Sequence, residues 1–250
     1  MVIKLVVEEY INHISPFHFQ FRAEPAPFYR SKWYRTNWIT LEFNLLYRWH
    51  SLVPDRYMIG DRVLPLDRTI FNNEVLIDDG IAAMTAAASR QKAGRLALFN
   101  SPPYLARYAE LKSVLLGRAA RLKSYNDYRE YCGYPKVTRF DQITGDVWLQ
   151  CELKRLYGSP DKLELFVGLF AEEVESGSAL PPLIGRMVAI DAFSQALTNP
   201  LLSERVYNRD TFAEGWDEIE KTKSLGDVLA RNTPEVPEDR KPALVTMTQK

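Results

Sequence analysis

The chain has 250 residues and equal numbers of basic and acidic side chains, 32 of each, so its formal net charge at pH 7 is zero. A balanced charge argues against a nucleic-acid partner, and the length is enough to bury a substantial core. The two cysteines, Cys132 and Cys151, have neither the number nor the spacing of a disulfide framework or a metal site, which is typical of two free thiols.

The first segment predicts an amphipathic helix, because apolar residues from Ile3 to Ile14 recur at three- and four-residue spacing until Pro16 ends it. Glu8 and Glu9 interrupt the apolar run, which is too short and too charged for a signal peptide or a membrane span. We therefore expect a cytoplasmic or peripheral-membrane protein. The helix begins without a capping signal, which suggests that the chain starts inside a larger architecture.

A second helix is predicted from a cap at Asn37 through His50 to Val53, where Pro54 ends it. Residues 55–67 alternate around Gly60 and predict a hairpin. Apolar periodicity then predicts helices over residues 72–91, 104–123, 124–133, 146–158, 161–174, 181–199 and 214–232. The simplest interpretation is one mainly α domain over residues 1–232, followed by a disordered tail over residues 233–250.

The stretch EFNLLYRWHSLVPD, residues 42–55, holds one of the three histidines of the chain. On an α-helix, Tyr47 and His50 would share a face because they lie three residues apart. His50 is either a hydrogen-bonded core histidine, which spacing alone favours, or a metal ligand. Since nothing nearby supplies further ligands, a metal here would have to bring most of its own, as haem iron does.

Three parts of this stretch, Glu42-Phe43-Asn44, Tyr47-Arg48-Trp49-His50 and Pro54-Asp55, resemble the proximal-helix motif of the cyclooxygenase branch of the animal-type haem peroxidases. This branch contains fatty-acid dioxygenases. Further blocks follow in the family's order, among them FNNEVLIDDGI, SRQKAGR, SYNDYREYCG, ELKRLYGSPDKLELFVGLFAEE and RMVAIDAFSQAL. The resemblance implies a mainly α haem-peroxidase/cyclooxygenase-like domain, of which this chain is the C-terminal, proximal portion. It is similar above all to microbial linoleate-type dioxygenases.

The same resemblance implies roles for individual residues. His50 would be the axial ligand of the iron in haem b, and Asn126 would accept a hydrogen bond from its imidazole. Tyr47 would carry the tyrosyl radical that abstracts hydrogen from the fatty acid. Peroxidases without oxygenase activity typically have Arg at the position of Tyr47, so the tyrosine favours a dioxygenase.

A further set of residues matches positions that contact the fatty acid, although core packing explains each apolar member equally well. Ser194 aligns, after a one-residue gap, with the serine that aspirin acetylates in prostaglandin synthases. Phe17 and Phe166 stand where those enzymes have tyrosines, so Phe17 cannot donate a hydrogen bond to the substrate carboxylate. The predicted substrate contacts are Tyr10, Ile11, Ile14, Phe17, Phe43, Leu46, Trp49 and Ser194.

These observations predict haem-dependent oxygenation of a polyunsaturated fatty acid by O2, with associated peroxidase activity, in oxylipin metabolism or the response to oxidative stress. The alternatives are a haem peroxidase without oxygenase activity and a non-catalytic half-domain or fragment. The distal residues of the family lie N-terminal to the segments matched here, so another chain or segment would supply them. We expect the isolated chain to expose the apolar face of its first helix and the surroundings of Phe43 and Leu46, to bind haem weakly, and to oxygenate no fatty acid.

Overall fold

The computed structural model describes residues 1–15 and 39–233, with the backbone alone for Leu197. Phe17, the predicted cap Asn37 and the predicted tail beyond Thr233 lie outside these residues. The described part is mainly helical, which confirms the predicted fold class. No helix within it is both long and apolar enough to cross a membrane.

The regular elements of the described residues are mostly short α-helices. They are α1 (Val2–Leu5), α2 (Ile11–Ile14), α3 (Leu41–Leu46), α4 (Glu74–Asp79), α5 (Ile81–Ser89), α6 (Pro103–Leu105), α7 (Leu111–Ala119), α8 (Tyr125–Tyr131), α9 (Val147–Tyr157), α10 (Leu165–Ala171), α11 (Pro182–Val188), α12 (Ser194–Leu197), α13 (Arg209–Phe212), α14 (Trp216–Lys221) and α15 (Leu225–Asn232). Single π-helical turns join three pairs of them, at Val6–Tyr10, Ala106–Glu110 and Ala189–Phe193. Short 3₁₀ turns occupy His50–Leu52, Leu66–Arg68, Phe140–Gln142, Pro160–Lys162, Pro200–Leu202 and Ala213–Gly215.

The predicted hairpin is confirmed. Strands β1 (Arg56–Ile59) and β2 (Arg62–Pro65) pair antiparallel, with Ile59 opposite Arg62. Gly60 adopts a φ of +59° in the connecting turn, a conformation that costs a glycine little.

Two long predicted helices are interrupted by local signals. The segment 72–91 divides at Gly80, whose φ is +78°, into α4 and α5. The segment 214–232 divides before Ser224, whose hydroxyl accepts a hydrogen bond from the backbone of Asp227 while the Asp227 carboxylate accepts one from Ser224. This capping box starts a new helix at Leu225, because it satisfies backbone donors at the helix N-terminus.

The chain contacts divide the described residues into two compact units. Residues 1–15, 54–93 and 191–233 form the first unit, and Ile39–Val53 with Gly94–Ile190 forms the second. Because the segments alternate along the chain, the units are not two consecutive domains. The boundaries 1–232 and 233–250 stay a prediction.

In the first unit, the apolar face of the N-terminal helix is buried: Val7, Ile11 and Ile14 are each at most 1% exposed. The Lys4 ammonium donates a hydrogen bond of 2.8 Å to the carbonyl of Ile219. The expectation that this face meets water is therefore wrong for the described residues, because the helix is covered within the folded chain.

In the second unit, α3 packs against α10 and α11, and this contact fixes the position of the segment that follows α3. Leu46 is 1% exposed, so the expected exposure around it is also wrong. The largest fully buried side chains of this unit are Leu45, Leu46, Leu96, Tyr125, Leu153, Leu163, Leu169, Leu183 and Ile184.

Candidate functional site

The segment that carries Tyr47 and His50 begins as a helix. The Thr40 hydroxyl accepts a hydrogen bond of 3.0 Å from the backbone N–H of Phe43 and so caps α3. The helix ends at Leu46, and Tyr47 leaves helical geometry with φ −92° and ψ 13°.

The predicted continuous helix through His50 to Val53 is therefore wrong. The Trp49 indole donates a hydrogen bond of 2.8 Å to the carbonyl of Leu46, which satisfies one of the acceptors at the helix C-terminus. Trp49 itself has φ −85° and ψ 44°, and His50 starts a 3₁₀ turn. Tyr47 and His50 thus do not share one continuous α-helical face.

Three aromatic rings stack in this segment. The ring centroids of Phe43 and Tyr47 are 4.9 Å apart, and those of Tyr47 and Trp49 are 4.2 Å apart, each pair inclined by 25°. All three side chains are half-buried. The stack holds the Tyr47 phenol between two apolar faces, and such offset pairs stabilise aromatic clusters by about 0.5–1.5 kcal/mol each.

The neighbouring polar residues hold this segment in place. Arg48 donates hydrogen bonds to the side chains of Asn44, at 2.9 Å, and Ser113, at 2.7 Å. Glu42 accepts a hydrogen bond of 2.6 Å from the Tyr128 hydroxyl. Burial, together with this bond to a carboxylate, raises the pKa of the Tyr128 phenol. The polar residues of the motif therefore join α3 to α7 and α8.

His50 has one hydrogen-bond partner among the described residues. Its Nδ1 lies 3.2 Å from Oε1 of Glu110, and the Ser101 hydroxyl donates a hydrogen bond of 2.8 Å to the same oxygen. Burial alone would raise the pKa of the Glu110 carboxyl. The hydrogen bonds from His50 and Ser101, with the positive charge of Arg48, outweigh it, so the net pKa is lowered and the carboxylate is ionised at neutral pH.

Asn126 has other partners than the resemblance implies. Its amide donates to the carbonyl of Val137 at 2.8 Å and to the carboxylate of Asp161 at 2.7 Å, and its oxygen accepts from the Val137 N–H at 2.9 Å. In the described part of the chain no hydrogen bond joins it to His50. The expected pairing is corrected: Asn126 bridges two loops, and Glu110 occupies the position beside the imidazole.

The predicted substrate contacts fall in both units. Phe43 and Trp49 flank Tyr47, so the structure brings these three together. In the first unit, α12, which carries Ser194, contacts the π turn that ends at Tyr10, and the Ser194 hydroxyl donates to the carbonyl of Asp191 at 2.9 Å. Their roles toward a fatty acid stay predictions.

Sequence reasoning missed Glu110 and Ser101. Glu110 is separated from His50 by 60 positions along the chain, and in the sequence it looks like one of many charged residues on a helix surface. No local pattern marks it. The structure does give one signal, because Glu110 ends the π turn Ala106–Glu110 and such turns are often found at functional sites. This turn cannot be recognised in the sequence.

The sequence profile of animal haem peroxidases matches residues 7–244. The chain belongs to the animal haem peroxidase family. Prostaglandin G/H synthase 1 of Rattus norvegicus is 33% identical over 238 residues, which cover 94% of this chain and 39% of the rat protein. Prostaglandin G/H synthase 2 of Gallus gallus is 29% identical over 231 residues, covering 92% and 38% of the two chains. The chain therefore spans about two fifths of the length of these curated relatives.

Solved structures of two proteins share the fold. Fatty acid alpha-dioxygenase of Oryza sativa superposes with a TM-score of 0.75 at 22% identity, covering 92% of this chain and 42% of the rice protein. Peroxidase A of Dictyostelium discoideum superposes with a TM-score of 0.72 at 18% identity, covering 96% and 48%. At these identities the likeness establishes the haem peroxidase fold.

Membership of the animal haem peroxidase family implies a haem cofactor, and the donor set around His50 fits one. Among the described residues, no three His, Cys, Asp or Glu side chains form a group that could hold a metal ion. His50 is instead a single nitrogen donor: its Nδ1 is hydrogen-bonded to Glu110, and its Nε2 has no hydrogen-bond partner among the described residues. A single imidazole nitrogen suits iron that brings four ligands in its porphyrin.

Proposed function

We propose that this chain provides the proximal half of a haem-dependent fatty-acid dioxygenase, in which His50 is the axial ligand of haem b and Tyr47 carries the radical. The observation that carries the proposal is the aromatic stack of Tyr47 with Phe43 and Trp49. Its last member, Trp49, directly precedes His50 in the chain. A phenol stacked against two aromatic rings and three residues before the proposed metal ligand is suited to one-electron chemistry.

Bound haem would supply the one-electron oxidant after reaction with a hydroperoxide. The Tyr47 phenol would then lose one electron and its hydroxyl proton to become a neutral phenoxyl radical. This radical would take one hydrogen atom from the bis-allylic carbon of the fatty acid, which restores the phenol and leaves a carbon radical.

The carbon radical then combines with O2, and the peroxyl radical so formed takes the hydrogen atom back from Tyr47. The products are a fatty-acid hydroperoxide and a regenerated tyrosyl radical, so that one C–H bond and one O2 become one C–O–OH group. Within the second unit, Phe43 and Trp49 would contact the acyl chain beside Tyr47, because both rings stack on its phenol.

The comparisons support the substrate class. The rice protein that shares the fold is a fatty acid alpha-dioxygenase, and it has been solved with palmitic acid. Tyr47 favours oxygenation over simple peroxidase activity, because an arginine there could not form a radical. Linoleate is the first substrate to test, as the resemblance to linoleate-type dioxygenases predicts.

The test measures oxygen uptake with linoleate, and oxidation of a small peroxidase donor, by the haem-reconstituted protein that contains this chain together with its distal half. Tyr47→Phe keeps the ring stack and removes the hydroxyl, so oxygen uptake should fall at least about 100-fold while donor oxidation persists. Tyr131→Phe is the matched control, because Tyr131 is 83% exposed and outside the stack.

His50→Ala should abolish both activities and the Soret band of ligated haem. Undiminished oxygen uptake in Tyr47→Phe would place the radical elsewhere. Donor oxidation without oxygen uptake in the unaltered protein would support the alternative of a haem peroxidase. If the unaltered protein shows neither activity and His50→Ala leaves the haem spectrum unchanged, the chain would be a non-catalytic half-domain.

A further inference from the structure

The contact between His50 and Glu110 joins two distant parts of the second unit. Nδ1 of His50 and Oε1 of Glu110 are 3.2 Å apart, and their side chains are 28% and 30% exposed. At this burial the pair is shielded enough for the hydrogen bond to fix the imidazole ring, unlike a fully exposed ion pair.

Glu110 is itself held in place. The Ser101 hydroxyl donates to the same carboxylate oxygen, Oε1, at 2.8 Å. Glu110 and Arg48 both line a cavity of about 280 Å³, yet the Arg48 guanidinium donates to Asn44 and Ser113 and forms no ion pair with Glu110 in the described structure. The direct donors to this carboxylate are therefore one hydroxyl and one imidazole.

The described lining of the cavity beside Glu110 offers no other carboxylate. Its remaining lining is mostly apolar and includes Phe166, whose ring has no hydrogen-bonding group, and Glu110 is the one acidic residue among the lining residues described. A carboxylate accepts hydrogen bonds and donates none, so the facing imidazole nitrogen must carry the hydrogen.

We propose that Glu110 is the positioning residue of the haem ligand: its carboxylate accepts the Nδ1 hydrogen of His50, fixes that tautomer and reserves Nε2 for the iron. This inference rests on the proposed role of His50. It assigns Glu110 two effects that a structural contact lacks, since a charged acceptor both selects the tautomer and makes the coordinating nitrogen more basic.

The first experiment needs no haem. Long-range ¹H–¹⁵N spectra of the purified full chain at alkaline pH distinguish a protonated from an unprotonated imidazole nitrogen, and only three histidines contribute signals. His50 should show hydrogen on Nδ1. Glu110→Ala should move the hydrogen to Nε2, the form that free histidine prefers, and Glu110→Gln should keep it on Nδ1 because the amide oxygen still accepts. Hydrogen on Nε2 in the unaltered protein, or an unchanged tautomer in Glu110→Ala, would overturn the proposal.

The second experiment measures haem affinity and the iron–histidine stretching frequency of the ferrous form by resonance Raman spectroscopy. Glu110→Ala should weaken haem binding by about 10–100-fold. Glu110→Gln should recover most of the affinity but lower the stretching frequency, because the acceptor is retained and its charge is lost. Glu152→Gln is the matched control, because the Glu152 side chain is 31% exposed, as Glu110 is, but pairs with Arg155 in the same unit, and it should change neither.

The two experiments separate the possible failures. If the haem spectrum is the same in His50→Ala as in the unaltered protein, His50 is not the ligand and both the proposed function and this inference are overturned. If ligation by His50 is confirmed but Glu110→Ala keeps the tautomer and binds haem normally, and Glu110→Gln leaves the stretching frequency unchanged, the inference alone is overturned.

Discussion

Two carboxylates of the second unit, Glu172 and Glu110, are surrounded differently. The Glu172 side chain is 6% exposed and accepts hydrogen bonds from the Tyr125 hydroxyl at 2.8 Å, from Arg129 at 2.6 Å and from the backbone of Leu183 at 2.7 Å. Glu110, at 30% exposure, accepts from one hydroxyl and one imidazole nitrogen.

The comparison contrasts a carboxylate buried in the fold with one for which we propose a role in orienting the haem ligand. Of the partners of Glu172, Tyr125 and Leu183 are fully buried and Arg129 is 12% exposed, and burial raises the pKa of the Glu172 carboxyl in spite of the donors. Around Glu110 the hydrogen bonds outweigh burial and lower the pKa of the carboxyl, and its partner His50 is the residue for which we propose haem ligation. We expect loss of Glu172 to cost stability and loss of Glu110 to cost function.

Glu172→Ala should have the largest effect. It leaves the Arg129 guanidinium, 12% exposed, without its partner, and a buried unpaired charge costs about 3–5 kcal/mol of unfolding free energy. Urea unfolding followed by circular dichroism measures the loss. Glu152→Ala removes a glutamate that is 31% exposed and paired with the exposed Arg155, and it should change the unfolding free energy by less than about 0.5 kcal/mol. A loss below about 1 kcal/mol for Glu172→Ala would remove the contrast with Glu110.

Gly94→Ala tests how the backbone around His50 is held. A Cβ at Gly94 would overlap the carbonyl oxygen of Ser51, in the 3₁₀ turn that His50 begins, and backbone cannot move aside cheaply. We expect a loss of about 1–3 kcal/mol in urea unfolding, together with a changed His50 imidazole signal. Gly215→Ala is the control, because a Cβ there meets nothing within 4 Å and the φ of Gly215 is −77°. Equal stability of the two variants would show that the turn tolerates displacement.

Glu110→Gln should have a smaller effect on stability than either change above. The side chain is partly exposed and the amide retains an acceptor for Ser101 and His50, so we expect a loss below about 1 kcal/mol in urea unfolding. A loss as large as that of Glu172→Ala would make Glu110 a structural residue of the same kind and would end the distinction between the two carboxylates.

Replacement of Glu164 should have the smallest effect on stability, and this effect should depend on pH. Burial alone would raise the pKa of its carboxyl, but hydrogen bonds from Arg118 and from the Tyr157 hydroxyl, at 2.7 Å, lower the net pKa below the usual 4.5. A lowered folded-state pKa stabilises the native state above the unfolded-state pKa, and this contribution is lost as pH falls through the folded value.

The unaltered protein should therefore exceed Glu164→Gln in stability by less than about 1 kcal/mol at pH 7, and the difference should shrink as pH falls below 4.5. Urea midpoints at pH 7 and at about pH 3 measure it. Arg118→Gln should reduce the pH dependence as well, and a difference that grows in acid would contradict the assigned direction of the pKa shift.

The sequence by itself determined the features that depend on neighbours in the chain. Apolar periodicity indicated the helices because burial of one face requires it, and the alternating residues around Gly60 indicated the hairpin because its turn needs a positive φ. Tyr47 and His50 could be singled out because ring type and spacing are local properties. The breaks at Gly80 and Ser224 also have local signals, a glycine and a capping residue. Apolar periodicity alone nevertheless extended the predicted helices through both positions.

Only the tertiary structure decided the surroundings of His50. The turn after α3 depends on where the Trp49 indole finds an acceptor, the partner of the imidazole comes from a helix 60 positions away, and Asn126 is taken by Val137 and Asp161. Hydrogen-bond partners of this kind leave no periodic trace, because a single polar contact between distant segments constrains one side chain in each. The identity of a candidate ligand was therefore local information, and what orients it was not.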